Sequence, residues 1–514
     1  MMKLKDFKIF VFLIFFPFIS FTQVNIFGNI YDKSSVLPLD SVEIYNEFGG
    51  LLATTNAQGR YDFTTSETEL KLIFFKYGYK LLKTSLLFKD SQLEDIFLDQ
   101  SVEELSEVQL VAAKQKIFSI KRLKDVEGTA IYAGKKTEVI LVDNLMANLA
   151  SNNSRQIYSQ IVGLNIYQND DAGLQLNIGG RGLDPNRTSN FNTRQNNYDI
   201  SADVLGYPES YYSPPAESLS EIQIIRGAAS LQYGTQFGGL VNFKTKTPNR
   251  YKKLEVVLRN TIGSNGLYTN FTSFSGTSKN LSYYTYVNYK KGNGFRPNSE
   301  FESINIFTHF EYAFSSQTKL AVEITYLNYL AQQAGGLNDA MFNNNPYQSV
   351  RSRNWFKVNW LLYNAKFTHN FSDQTRFSFN FFGLKASRDA IGFRTNRVDQ
   401  IDSFEERDLI KGTFENFGFE PRFLHSYNFL GKKAKILLGG KFYKSSNTSE
   451  QGPGSNGFDA DFDFETDQYI DYKAQSFYKY PNLNTALFGE QIIYLKENLS
   501  ITPGFRLEHI KTES

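Results

Sequence analysis

Lys319-Leu-Ala-Val-Glu-Ile-Thr-Tyr326 sets Leu320, Val322, Ile324 and Tyr326 against Lys319, Ala321, Glu323 and Thr325. A period of two sends these sets to opposite faces of a β-strand. The pattern recurs upstream, where Ile304, Ile306, Thr308, Phe310 and Tyr312 alternate with Asn305, Phe307, His309 and Glu311. It recurs downstream, where Phe377, Phe379 and Phe381 alternate with Arg376, Ser378 and Asn380. Alternation with one polar face also describes a soluble antiparallel sheet packed on one side, so the connections decide. On one side the strands are joined by tight turns at Gly276–Asn280, Ser315–Thr318, Ser372–Gln374, Gly431–Lys433 and Lys496–Asn498. On the other they are joined by the longer segments Lys291–Glu302, Ala331–Asn354, Ser387–Lys411 and Ser445–Pro481. Short turns alternating with long loops are the habit of an antiparallel transmembrane β-barrel. Residues 251–514 therefore read as barrel, with about 11 strands. Single-chain bacterial barrels have an even count, and the sequence stops at Ile510–Ser514 without a terminal aromatic strand. The expectation is a partial barrel in a C-terminally incomplete chain.

Composition agrees with a membrane barrel. There are 47 Phe and 31 Tyr but 2 Trp, and aromatic residues make up 16% of the chain. A barrel uses such residues on its lipid face and in its interfacial girdles. Lys and Arg number 55 against 53 Asp and Glu, so no basic field argues for nucleic acid. There is no cysteine, which excludes disulfides and a lipoprotein anchor. At the N-terminus Lys3, Lys5 and Lys8 precede an apolar run from Ile9 to Phe21, interrupted by Pro17. Residues 1–22 read as a secretory signal cleaved near Thr22–Gln23, with an anchor helix as the alternative.

Residues 23–100 alternate short apolar runs with turn residues, as in Val24–Gly28, Val42–Ile44, Gly59–Phe63 and Leu70–Phe75, the pattern of a small β-sandwich. Residues 101–115 form a linker, and 116–250 a mixed α/β stretch with a helical pattern at Asn144–Tyr158 followed by Gly-rich strands. The fold class is mainly β: sandwich, α/β middle domain and barrel.

The sandwich, with Gly28, Pro38, Gly59-Arg-Tyr and Tyr77-Gly-Tyr79 in order, resembles the carboxypeptidase-regulatory-like domain, a non-catalytic module. In the middle region, Asn177-Ile-Gly-Gly-Arg-Gly-Leu183 contains Arg181 and Gly182. Ile222-Gln-Ile-Ile-Arg-Gly-Ala-Ala-Ser-Leu-Gln-Tyr-Gly234 contains Arg226, Gly227, Tyr233 and Gly234. It continues into Gly238-Gly-Leu-Val-Asn-Phe-Lys-Thr-Lys246, with Gly238 and Gly239. Together, in this order and ahead of a barrel, these resemble the plug domain of TonB-dependent outer-membrane receptors. Two segments resemble the ferric-citrate-receptor group. One is Arg181–Arg187 with Gly206–Pro215, the other Gly335–Arg351 in a long loop. The usual plug strand carries an Asp-Gly pair, and the corresponding stretch here is Asn196-Asn-Tyr-Asp-Ile-Ser-Ala-Asp203.

The resemblance implies a plugged 22-strand barrel, about half of it present, in the outer membrane and in contact with its lipid. It implies import of a small chelated-iron ligand, ferric citrate or another siderophore, driven by TonB and its inner-membrane energising complex. The TonB box is expected at Ser106, Glu107, Val108, Gln109, Leu110, Val111, Ala112 and Ala113, an extended segment suited to strand addition. An ordinary interdomain linker is the alternative there. Guanidinium groups recognise carboxylate-rich anions, so Arg187, Arg194, Arg351, Arg353, Arg394 and Arg397 are candidate ligand contacts, with Tyr211 and Tyr212 lining the same chamber. Each arginine could instead be a solvated loop charge or pair with lipid-A phosphates or nearby acids. His309, His369, His425 and His509 are dispersed without metal-ligand spacing, so no metal site, cofactor or catalytic residue is expected, and no nucleic-acid partner. The alternatives are an importer of a glycan or vitamin and, more distantly, a passive porin, which needs no plug. An enzyme is not indicated, since no pair of acids sits in a motif that fixes a reaction.

Overall fold

The computed structural model describes residues 24–46, 51–65, 69–76, 79–87, 95–99, 120–144, 148–151, 157–158, 161, 163–168, 170, 172–173, 176–180, 182–188, 191–203, 211–226, 231–234, 239–395, 397–496 and 499–514. The expected signal (1–22) and the expected TonB box (Ser106–Ala113) lie outside them, as do Arg181, Gly227 and Gly238. The chain divides into two compact units, Met1–Phe118 and Ser119–Ser514.

The first unit contains two small sheets. Arg60–Thr65, Val24–Asp32 and Ile96–Leu98 form one, and Leu51–Thr54, Glu43–Asn46, Glu69–Phe75 and Leu82–Leu87 the other. Alternate residues Ile26, Ile30, Val42, Ile44, Phe63, Leu72 and Phe74 make one buried core, as the period-two runs require.

In the second unit a six-stranded mixed sheet runs in the order Tyr198–Asp199, Phe191–Gln195, Gly239–Thr245, Leu219–Arg226, Lys136–Leu141, Ile120–Lys121. Phe191–Gln195 is parallel to Gly239–Thr245 and the other pairs are antiparallel. Ile222, Ile224, Val241 and Phe243 bury the inner faces of its two central strands. Gly239 has φ +124, and a β-carbon there would run into the carbonyl oxygen of Ile225, so only glycine fits. Of the helical pattern expected at Asn144–Tyr158, Ile157 and Tyr158 are α-helical, Leu149–Ser151 is a three-residue 3-10 turn and Asn144 ends the 3-10 turn Val142–Asn144, while most of the rest of that stretch lies outside the described residues. An α-helix, Asp339–Asn344, lies in a long loop of the barrel sheet and is capped by the Asn338 side chain.

Around this sheet wraps a second one of twelve strand segments, from Glu255–Ile262 to Gly504–Thr512, each antiparallel to its neighbour. The last two segments, Leu499–Ile501 and Gly504–Thr512, both pair with Ser476–Lys496. Short turns join strand ends near 279, 315, 372 and 430, and long loops join 292 to 301, 332 to 355, 392 to 407 and 454 to 476. The burial of the alternating faces separates a membrane barrel from a soluble sheet. Val322, Ile324 and Tyr326 are 39%, 50% and 38% exposed, whereas Glu323 and Thr325 are 5% and 0% exposed. Phe310, Phe381, Phe417 and Phe423 face outward in the same way, while Asn305, Ser378, Asn380 and Asn416 are buried against the interior. A soluble sheet buries its apolar face. Apolar outside and polar inside is the membrane-barrel arrangement. No helix among the described residues is long and apolar enough to cross a membrane.

Candidate functional site

Two polar regions lie where plug residues meet the barrel wall and its loops. The first is built around the hairpin Phe191–Gln195/Tyr198–Asp199. Its turn residues Asn196 and Asn197 have φ of 47° and 75°, a left-handed turn that asparagine tolerates and that commonly carries Asn-Gly. Beyond the hairpin the wall clasps the backbone: Trp360 Nε1 donates to the Ile200 carbonyl at 3.3 Å and Asn416 Nδ2 to that of Ala202 at 2.9 Å.

The hairpin carries Arg194 and Asp199 into the wall. Arg194 Nη2 lies 2.9 Å from Asp199 Oδ1 and 3.3 Å from Glu420 Oε1. Lys441 Nζ lies 2.7 Å from Asp199 Oδ2, and Arg422 Nη2 lies 2.9 Å from Glu420 Oε2. All five side chains are buried. The guanidinium groups of Arg194 and Arg422 stand 4.7 and 5.0 Å from the ring centroid of Tyr233, whose hydroxyl meets that of Tyr132 at 2.7 Å. Burial alone would raise the carboxyl of Asp199, but Arg194 and Lys441 outweigh it and hold its pKa down to about 2. Each buried charge thus has an opposite neighbour, the condition under which buried ions are tolerated. Because Arg194, Asp199 and Tyr233 belong to the plug, and Glu420, Arg422 and Lys441 to the wall, the cluster locks one to the other. Nearby, Asp203 accepts from Ser445 Oγ at 2.9 Å, Asn447 Nδ2 at 3.1 Å and Asn482 Nδ2.

The second region is a cavity of about 650 Å³ at the long-loop end. Its charged lining is Arg296, Arg351, Arg394 and Asp170, with Tyr329, Gln332 and Asn354 among the neutral polar groups. Arg296 Nη2 donates to the Gly335 carbonyl at 2.9 Å, while its buried Nε has no hydrogen-bond partner among the described residues. Tyr329 donates at 2.8 Å to Asp170 Oδ2, so a residue from the plug segment completes the cavity wall.

The residues singled out by sequence are distributed as follows. Arg351 and Arg394 line the cavity. Arg351 is buried and directs its guanidinium to the carbonyls of Val350 and Gln400 at 2.6 and 3.1 Å, clamping one long loop on another. Arg353 is fully buried, forks onto Asp402 at 2.7 and 2.5 Å and donates to the Glu405 carbonyl at 2.7 Å. Its partners are structural, and it is not part of the cavity lining. Arg397 is exposed and pairs with Asp399 at 2.7 Å. Arg194 sits in the lock between plug and wall, paired with Asp199 and Glu420. Tyr212 is buried and donates to Gln195 Oε1 at 2.7 Å, while Tyr211 is half-buried against Phe356 and Trp360. Arg187 belongs to the 3-10 turn Asn186–Thr188, and its side chain is outside the described set. Of the plug motif, Arg226 pairs with Glu138 at 2.8 Å, and Gly234, at φ +89, turns the chain beside Tyr233. Gly182 follows the strand Leu176–Gly180 in a turn with φ +75. Sequence reasoning missed Arg296, although the loop that carries it, Lys291–Glu302, is among the long connections it recognises. Phe295-Arg296, an aromatic beside a guanidinium in that loop, is the signal that could have found it.

No protein-family model matches this sequence, and no curated protein does. Solved structures do match its fold. The ferric citrate transporter FecA, unliganded, superposes with a TM-score of 0.61 at 18% identity, covering 78% of this chain and 58% of that one. The ferric preacinetobactin receptor BauA of Acinetobacter baumannii gives 0.59 at 12%, covering 77% and 61%. The ferripyoverdine receptor of the Pseudomonas aeruginosa outer membrane, with ferripyoverdine bound, gives 0.61 at 14%, covering 85% and 61%. The chain spans about three fifths of the length of these matches. At such identities the likeness establishes the fold: a plug enclosed by an antiparallel barrel sheet.

Proposed function

We propose that this chain is a TonB-dependent receptor of the bacterial outer membrane that binds a ferric chelate, ferric citrate or a related siderophore, and imports it to the periplasm. The carrying observation is the cavity at the long-loop end, where Arg296, Arg351 and Arg394 converge beside the plug residue Asp170. Three guanidinium groups against one carboxylate favour a carboxylate-rich anion. An iron already enclosed by its chelator needs no protein ligand. The names of the fold matches, a ferric citrate transporter and two siderophore receptors, support the same ligand class. On this reading the long loops face outside and the short turns the periplasm. Ser106–Ala113 is the segment that TonB engages, and the lock between Arg194, Asp199, Glu420, Arg422 and Lys441 is what the work delivered through TonB must open.

The test is uptake of radiolabelled iron as ferric citrate in cells expressing the full-length protein, with and without a deletion of Ser106–Ala113. Binding at the surface in both strains, with uptake only in the intact one, supports energised import through that segment. Equal uptake in both overturns the TonB-box assignment. Absence of binding and uptake in both overturns the iron–citrate assignment and moves glycans and vitamins forward.

A further inference from the structure

We infer that the seam between plug and wall holds a second anion site, near the short-turn end, built from Lys244 and Lys366 and suited to a carboxylate or phosphate-type oxyanion. A cavity of about 150 Å³ lies there, bounded by both lysines, Arg422, Glu420 and Glu127. With water occupying about 30 Å³ apiece, this is room for a phosphate-sized anion or one carboxylate arm of a larger ligand.

The charges on its walls do not cancel in pairs. Glu420 is engaged by Arg194 and Arg422. Lys366 lies on the inward face of its strand, continuing the register of Phe356, Val358, Trp360, Leu362 and Asn364. Among the described residues it makes no ion pair. One oxygen of Glu323, an acid of the neighbouring strand, accepts from His309 and from Asn196, each at 2.9 Å. Lys244 likewise makes no ion pair among the described residues. Glu221, opposite it in the register, pairs at 2.8 Å with Lys121. Two ammonium groups, one from the plug and one from the wall, therefore border one small polar cavity with Glu127 as the remaining acid. Like charges held around a cavity are stabilised by an anion between them. Thr129, Ser378 and Asn380 supply neutral polar groups around it.

Position gives the site a role. The large cavity sits at the long-loop end of the wall that includes Tyr329 and Asn354, and the small one lies near the short turn that follows the adjoining strand Trp355–Asn370. Lys366 and Lys244 thus stand on the short-turn side of the first cavity, where an anion imported along this wall would pass. This role rests on the import reading, whereas the anion site itself does not.

The experiment is anomalous diffraction from crystals of the full-length protein soaked in selenate, together with selenate affinity in solution for wild type and Lys244→Gln/Lys366→Gln. The expected result is a selenium peak between the two lysine side chains, and affinity at least about tenfold weaker in the double variant, equivalent to about 1.4 kcal/mol, because both charge-assisted hydrogen bonds to the anion are removed. No peak at saturating selenate, or equal affinity in the variant, overturns the site. Displacement by citrate identifies ligand carboxylates as the natural occupant, and displacement by phosphate alone identifies free phosphate. In cells, the waypoint role requires the double variant to bind ferric citrate at the surface as wild type does but import it several-fold more slowly. Unchanged uptake overturns that role. Loss of surface binding in wild type would instead count against the import reading and leave the selenate result standing.

Discussion

Arg353 and Arg194 are both fully buried arginines with carboxylate partners, yet they hold different things together. Arg353 joins Asp402 and the carbonyls of Glu405 and Asn456, all from neighbouring long loops. Arg194 joins Asp199 on its own hairpin to Glu420 on the wall, so its interactions cross between two bodies. Carbonyls and one local acid make a scaffold that keeps the outer cavity in shape. Ion pairs that cross from plug to wall make a latch, because separating the two bodies parts every charge from its partner at once.

The largest effect expected is from Glu420→Ala. It strips Arg194 and Arg422 of an acceptor in a buried setting, a change of roughly 3–5 kcal/mol. Amide hydrogen exchange should quicken through Phe191–Gln195 while the long loops keep their protection. Quickening in the loops alone would erase the distinction between latch and scaffold. Asp402→Asn is the complementary change. It leaves the carbonyl partners of Arg353 in place, so about 1–3 kcal/mol is expected, with exchange rising across 397–406 and unchanged in the plug strands. Arg296→Gln should weaken ferric-citrate binding about tenfold, roughly 1.4 kcal/mol, as measured by equilibrium binding to purified protein, with exchange in the plug strands unchanged. The smallest effect at neutral pH concerns Asp199. Its folded pKa of about 2 lies below the ordinary carboxyl value, so its contribution is fully present above about pH 4 and lost as pH falls through about 2. Plug-strand exchange measured down that range should rise before the barrel strands do, and Asp199→Asn should reduce the pH dependence, leaving the part due to Glu420, the other carboxylate paired with Arg194.

Much of the architecture was legible in the sequence because period-two alternation and turn length are local properties. Lys319–Tyr326 displays its two faces within eight residues. Which face meets lipid was not decided by alternation alone. It follows from the exposure of Ile324 beside a fully buried Thr325. The site was less legible. A charged loop residue looks the same in sequence whether it lines a cavity or meets a carbonyl, and so Arg353 stood as a candidate beside Arg351 and Arg394, which line the cavity. The latch was not legible at all, since Arg194 and Glu420 are 226 positions apart and no local pattern links them. Tyr233 belongs to a legible motif, but its place between two guanidinium groups depends on the wall strand that carries Arg422.

The import proposed for this chain requires the plug to move against the wall. Thr129 on the plug and Ser378 on the wall bring their hydroxyl oxygens to 2.6 Å, close enough for a disulfide after Thr129→Cys/Ser378→Cys, and these 514 residues hold no cysteine to compete. Iron uptake should stop in the oxidised double variant, surface binding should persist, and reduction should restore uptake. Uptake at the wild-type rate with the tether closed would contradict a moving plug.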